Sequence, residues 1–149
     1  MSPRSLLLLL ALALLCWHAR ANLAVEAQLF VNCGSGISAS NCTENAPCSS
    51  LAAAIAIWTL QRAQRTTIWI AAGSVCLERG IFIDDAQQLT IAGRGGGAKL
   101  DFGGNNGFEV AESSLQLRNL ALTHANEALL AWDCSVSVIN CTFDANERG

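Results

Sequence analysis

The residues best equipped for chemistry are Asp84, Asp85, Asp101, Glu109, Asp133 and Asp144, with Lys99, Arg94 and Arg118 as nearby cations. Glycoside hydrolysis needs two carboxyl groups facing one bond. Glu109 and Arg118 read as the outward residues nearest a shared face. Asp84-Asp85 follows an apolar stretch, where a turn would use Asp in any case. A serine triad needs a histidine base, and beyond residue 21 the sequence offers only His124, with no nucleophile elbow. His124 therefore reads as a surface or turn residue. Gly93-Arg-Gly-Gly-Gly-Ala-Lys99 invites a phosphate-loop reading, but Leu100 stands where that motif needs Ser or Thr. The stretch reads as a permissive turn. No catalytic residue, cofactor or metal site is expected.

The cysteines describe a compartment. Arg4, the eleven apolar residues Leu6 to Cys16 and Ala19-Arg20-Ala21 follow the plan of a secretory signal peptide, residues 1–21. Eleven apolar residues fall short of the roughly 20 that cross a bilayer core of about 30 Å. No later stretch qualifies, so no membrane span is expected. Beyond the signal remain Cys33, Cys42, Cys48, Cys76, Cys134 and Cys141, an even set that suggests disulfides in an exported chain. Zinc is the competing reading, and it lacks any Cys-x-x-Cys pair. Cys42 and Cys48 are separated by five loop residues and are the expected short bridge. Two glycosylation sequons begin at Asn41 and Asn140. The chain carries 52% hydrophobic and 14% charged residues at net charge −3, which argues against disorder and against nucleic-acid binding. Removing the signal takes two of the nine basic residues and none of the twelve acidic ones.

Elements that could position these residues are short. Gln28 to Asn32 reads as a strand and Cys33 to Ser50 as a polar loop. Leu51 to Arg65 reads as a helix, capped by Ser49 or Ser50, with Leu51, Ile55 and Trp58 on one face. Arg62 and Arg65 suit its negative end. From Thr66 onward an apolar-x-apolar triplet recurs: Ile68/Ile70, Ile81/Ile83, Leu89/Ile91, Leu100/Phe102, Phe108/Val110, Leu115/Leu117, Leu120/Leu122, Val136/Val138 and Cys141/Phe143. Each triplet turns two apolar side chains to one face. The series from Phe108 to Leu122 matches Leu129 to Phe143 at a constant offset of 21, and Asn119 falls on Asn140. An earlier copy lies about 26 residues ahead, lengthened by the glycine-rich stretch. Such periods signal a solenoid. Three short strands per turn fit a parallel β-helix.

Leu115 to Thr123 and its repeat, Val136 to Asp144, resemble coils of right-handed parallel β-helix proteins of the pectate-lyase-like superfamily. Leu89-Thr-Ile-Ala-Gly93 is similar to their strand-then-glycine turns. Phe30-Val-Asn32, Asn45 to Ser50 and the following helix resemble the capping segment of extracellular members. The resemblance covers Gln28 to Asp144 and implies a fold rather than an activity, since the superfamily spans lyases, hydrolases, adhesins and proteins without known activity.

The resulting expectation is an all-β, right-handed parallel β-helix of about three coils. Residues 1–21 form the signal, 22–65 the N-terminal strand, Cys-rich loop and capping helix, and 66–149 the coils. Asn119 and Asn140 would occupy corners in the left-handed region and stack their amides along the axis. That ladder competes with glycosylation at Asn140 and leaves Asn41 as the better sequon. Trp69, outward between Ile68 and Ile70, is the expected carbohydrate contact. The expected role is structural or recognition work in the extracellular space, at a cell surface or in matrix, with a polysaccharide or another extracellular protein as partner. The alternative is a lyase or hydrolase acting on acidic polysaccharide. Only six polar residues follow Phe143. The sequence therefore reads as a fragment whose uncapped C-terminal coil could support end-to-end association.

Overall fold

The computed structural model describes residues 26–34, 41–61 and 63–148. The expected signal segment, with Cys16, and Arg62 lie outside these residues. The described chain forms strands β1 (Glu26–Val31), β2 (Arg65–Ile70), β3 (Val75–Leu77), β4 (Ile81–Asp84), β5 (Gln88–Gly93), β6 (Ala98–Asp101), β7 (Phe108–Ala111), β8 (Ser114–Arg118), β9 (Leu120–Thr123), β10 (Leu129–Trp132), β11 (Ser135–Ile139) and β12 (Thr142–Asp144). One helix, α1 (Leu51–Gln61), lies between β1 and β2.

All strand pairing is parallel, which follows from apolar triplets repeating at coil intervals. Sheet A runs β1-β2-β5-β8-β11, sheet B runs β3-β6-β9-β12 and sheet C runs β4-β7-β10. The chain visits A, B and C in turn, so β2–β4, β5–β7 and β8–β10 are three successive coils of a parallel β-solenoid. Val136 pairs with Leu115 and Leu129 with Phe108, which is the offset of 21. Leu89 pairs with Leu115, the longer offset. The period persists past β12: Glu147 and Arg148 donate backbone hydrogen bonds to the carbonyls of Ala125 and Asn126.

Inside, the triplets stack as columns. Ile68, Ile70, Ile83, Leu89, Ile91, Leu100, Leu115, Leu117 and Leu122 are fully buried. Phe102 and Phe108 meet edge to face at 5.8 Å where sheet B turns into sheet C. Gly93 is obligatory at the A-to-B corner. A Cβ there would collide with the Asn119 carbonyl and the Ala98 amide. The glycine-rich stretch is the turn expected of it, with left-handed Gly95 and Gly97.

Two boundaries differ from the sequence reading. The helix ends at Gln61 rather than Arg65, because Arg65 opens β2 in register with Glu26 and Gln88. The first strand spans Glu26–Val31 and pairs along its whole length with β2. It is thus the first rung of sheet A, and the Cys-rich loop and α1 form a long excursion between two neighbouring rungs.

That excursion is held at several points. Leu51, Ala54, Ile55 and Trp58 bury one face of α1 against the first strands. Ser50 Oγ accepts from Ala53 N at 3.1 Å, a side-chain cap. The Cys42–Cys48 bridge closes a short loop and Cys33–Cys76 a long one, with sequence separations of 6 and 43. The chain-entropy model assigns these about 2 and about 4 kcal/mol, so the long bridge dominates. Cys134 and Cys141, expected among the paired cysteines, are unpaired. The reason is geometric. They flank the five-residue strand β11, which at ~3.3 Å per residue holds them roughly 17 Å or more apart. A disulfide needs Cα atoms within about 7 Å.

Glu78 completes the attachment. Its carboxylate accepts from the amides of Leu51, at 2.6 Å, and Ala52, at 3.4 Å, at the start of α1, and the residue is only 5% exposed. Burial raises its pKa above the ordinary 4.5, outweighing the downward pull of the two amides. A raised native pKa stabilises the fold fully below the ordinary value, and that stability is lost as pH rises through the native one. Glu78→Gln keeps an acceptor but cannot ionise. From pH 4.5 upward the melting temperature of the wild-type chain should therefore fall relative to that of the variant. Parallel melting curves across that range would contradict the account.

The strand phase yields a second prediction. Leu117→Asp buries an unpaired charge at a cost of several kcal/mol, a large part of a typical stability of about 5–15 kcal/mol. It should abolish the cooperative thermal transition, whereas outward Gln116→Asp should shift it little. Val138 occupies the equivalent column but is 41% exposed in the terminal coil. Val138→Asp should therefore fall between the two, milder than its place in the repeat suggests. Equal damage from all three would refute the assigned phase.

Candidate functional site

Outward side chains form rows because parallel register places equivalent positions one strand spacing apart. On sheet A one row reads Gln28, Thr67, Thr90, Gln116, Ser137. All five are uncharged hydrogen-bonding groups. Beside it runs Phe30, Trp69, Ala92, Arg118, Ile139. A shallow groove of about 230 Å³ crosses the first row, lined by Gln88, Thr90, Ser114, Gln116, Ser135 and Ser137.

Trp69 is half-buried on this face, between buried Ile68 and Ile70. The Arg94 guanidinium lies 4.7 Å from the Phe30 ring centroid and 5.7 Å from that of Trp69. Glu44 holds Arg94 by an ion pair of 2.7 Å. The cation therefore covers both rings and connects the Cys-rich loop to the A-to-B corner.

Sheet B gathers three groups that the sequence reading treated separately. Lys99 and Asp101 both point outward from β6. Asp101 Oδ2 lies 3.0 Å from His124 Nδ1 and 3.7 Å from Lys99 Nζ. His124 follows β9 at a left-handed corner, with φ of 53°. Asp101 sits below the usual carboxylate value. Desolvation pushes it up, but the hydrogen bond to His124, the Gly103 amide and the charges of His124 and Lys99 together outweigh that push. If Nδ1 donates to Asp101, Nε2 is left as a base or acceptor. Register alone could have revealed the group. Asp101 pairs with Thr123, the residue before His124, but the irregular first offsets hide that pairing in the sequence.

The remaining candidates are dispersed. Glu109 lies on sheet C and accepts from Asn106 at 2.8 Å, while Arg118 lies on sheet A, so the two share no face. Asp84 is on sheet C and Asp144 on sheet B. Asp85 and Asp133 stand with Glu112 in left-handed conformation at the C-to-A corner. Cys33, Cys76 and Glu78 converge within 4.8 Å, a ligand-like grouping, but the two sulfur atoms are joined in a disulfide and offer no thiolate.

Asn119 and Asn140 occupy successive A-to-B corners with φ of 53° and 51°. Asn140 Nδ2 donates to Asn119 Oδ1 at 2.8 Å, and Asn119 Nδ2 donates to the Gly93 carbonyl at 3.4 Å. The amide that a glycosyltransferase would need at Asn140 is thus occupied. Asn41 is exposed in the loop before Cys42. No described helix is long and apolar enough to cross a membrane. Comparison with protein-family models, with characterised proteins and with solved structures gave no match, so the fold and the site rest on strand register and side-chain geometry alone.

Proposed function

We propose that the chain is an exported recognition module whose sheet A binds a polysaccharide. The observation that carries the reading is the in-register row Gln28, Thr67, Thr90, Gln116, Ser137 beside the Phe30–Trp69 edge. Sugar rings are bound by aromatic stacking combined with a few fixed hydrogen bonds. A rigid parallel sheet supplies the hydrogen-bonding groups at a constant spacing, and beside them a sugar would meet the Arg94 guanidinium that covers Phe30 and Trp69. The N-terminal signal pattern and the two disulfides support export, and Asn41 is the proposed glycosylation site.

Polysaccharide cleavage is a second reading, favoured by the Asp101–His124 pair with Lys99 alongside. An oriented imidazole can take a proton from a bound sugar. One experiment separates the readings: affinity electrophoresis of the chain in gels containing acidic or neutral polysaccharides, with product analysis of the same samples. Retardation should occur without cleavage. Gln116→Ala with Thr90→Ala, in the row that carries the reading, should weaken it about tenfold or more. Trp132→Ala, on another sheet, should leave it unchanged. Cleavage abolished by His124→Ala would favour the enzyme, and absence of both retardation and cleavage would remove both readings.

The terminal coil suggests a further contact. Val138, Ile139 and Phe143 are each about two-fifths exposed, and β10, β11 and β12 offer unpaired edges. End-to-end association through this coil is the proposal. Sedimentation should show mass rising with concentration, and Val138→Ser with Phe143→Ser should suppress the rise. A concentration-independent monomer would count against it.

A further inference from the structure

The first coil interrupts the apolar columns of sheet B. Leu100 pairs with Leu122, and both are fully buried, as is Phe102. One rung earlier the partner of Leu100 is Cys76. The same register carries Glu78 to the place beside Phe102, and the Glu78 amide donates to the Asp101 carbonyl. Leu77, between them, points outward and is 80% exposed. Strand alternation therefore turns Cys76 and Glu78 inward together, and both are buried. Cys33, just beyond β1, reaches the same spot. Its sulfur, the Cys76 sulfur and a Glu78 oxygen all lie within 4.8 Å of one another.

In the oxidised chain the two sulfurs are spent on each other. Once reduced, they and the carboxylate form a donor set that suits zinc. Tetrahedral zinc holds thiolates at about 2.3 Å and carboxylate oxygens at about 2.0–2.2 Å, which sets two sulfurs about 3.8 Å apart. The Cα atoms of Cys33 and Cys76 are 5.2 Å apart. Opening the S–S bond and turning the two side chains about their Cα–Cβ bonds reaches that spacing without moving the strands. The Glu78 carboxylate has about four acceptor positions, and the amides of Leu51 and Ala52 use two of them. Two thiolates and one carboxylate exceed the charge of a dication by one. The positive N-terminal end of α1, against Glu78, offsets that excess.

We propose that the reduced chain binds zinc through Cys33, Cys76 and Glu78, with water in the fourth position. The newly made chain carries both cysteines as thiols before the bridge forms. A dithiol reductant regenerates them: its own thiols close to a disulfide while the Cys33–Cys76 bond takes up two electrons and two protons. Zinc then displaces the two thiol protons and binds both sulfurs and the Glu78 carboxylate. A disulfide oxidant reverses the exchange. It accepts two electrons from the thiolates, the S–S bond closes and the ion leaves. Bridge or ion, the chain beyond β1 stays tied to β3, so the Cys-rich loop and α1 remain fastened in both states. The site does not depend on what sheet A binds.

The test uses the full chain, reduced with a phosphine so that no added thiol competes for metal. Alkylation and peptide mapping with and without zinc should show protection of Cys33 and Cys76, while Cys134 and Cys141 stay reactive. Zinc should raise the melting temperature of the reduced chain and leave that of the oxidised chain unchanged. If the reduced chain alone shows no cooperative transition, zinc should restore one. Glu78→Gln keeps an acceptor for the α1 amides but offers no carboxylate. It should weaken zinc binding at least about tenfold, measured by competition with a chromogenic chelator. Ser50→Ala removes the other cap of α1 and should leave zinc affinity unchanged, which separates loss of a ligand from a loosened helix start. Equal protection of Cys134 and Cys141 would place the metal elsewhere and overturn the proposal. Unchanged affinity in Glu78→Gln, or equal stabilisation of the oxidised chain, would do the same.

Discussion

Parallel pairing at one strand spacing per coil is the constraint on which the rest of this structure depends. Once Leu89 pairs with Leu115 and Leu115 with Val136, the axial neighbours of the other residues of β5, β8 and β11 are determined. The corners must then turn the chain in very few residues without disturbing that register. Several corners begin with a left-handed residue: Asp85, Glu112 and Asp133 at one corner, Asn119 and Asn140 at another, His124 and Ala145 at the third, while the corner after β5 is a longer turn with left-handed Gly95 and Gly97. Asparagine and aspartate tolerate this conformation better than most residues, and glycine best of all. The Asn140–Asn119 hydrogen bond and the contact of Gly93 with the Asn119 carbonyl are consequences of the same stacking.

This constraint also explains how far the sequence could be read. Apolar alternation and the offset of 21 are local and periodic, so the strands from Phe108 onward were legible, and so was the burial of Leu51, Ala54, Ile55 and Trp58 in the helix. The Cys42–Cys48 bridge was legible because a short loop leaves few choices. The Cys33–Cys76 bridge was not, since it depends on where the excursion between β1 and β2 returns. Glu78 gave no signal at all. Its partners, the amides of Leu51 and Ala52, lie 27 and 26 residues away, and backbone groups carry no sequence signature. The helix end was overestimated because Arg65 suits a helix terminus as well as a strand start. Only its pairing with Glu26 and Gln88 decides.

The dispersed charged residues show the same limit from the other side. Glu109 and Arg118 alternate correctly, and both point outward, yet they belong to different sheets. Outwardness is a period-two property, while sharing a face depends on which of three sheets a strand joins. Lys99, Asp101 and His124 illustrate the converse. They are 2 and 23 residues apart and still meet, because β6 and β9 are neighbours on sheet B.

Inward and outward positions are physically decoupled in such a fold. The columns at Leu89, Leu115 and Ile91, Leu117 must be apolar and of matched size. The rows between them face water and are free to vary. That freedom allows an overall net charge of −3 to conceal strong segregation. Sheet A carries Glu26, Arg65 and Arg118 among amides and hydroxyls, whereas sheet C and its corner carry Asp84, Asp85, Glu109, Glu112 and Asp133 beside Phe82, Leu130 and Trp132. Because each row repeats at about 4.8 Å, adding one residue per coil extends an existing surface instead of creating an isolated charge. Carboxylates stacked so closely repel one another, and water screens that repulsion only in part. A row of uncharged groups such as Gln28, Thr67, Thr90, Gln116 and Ser137 carries no such cost, whereas the row Asp85, Glu112, Asp133 does.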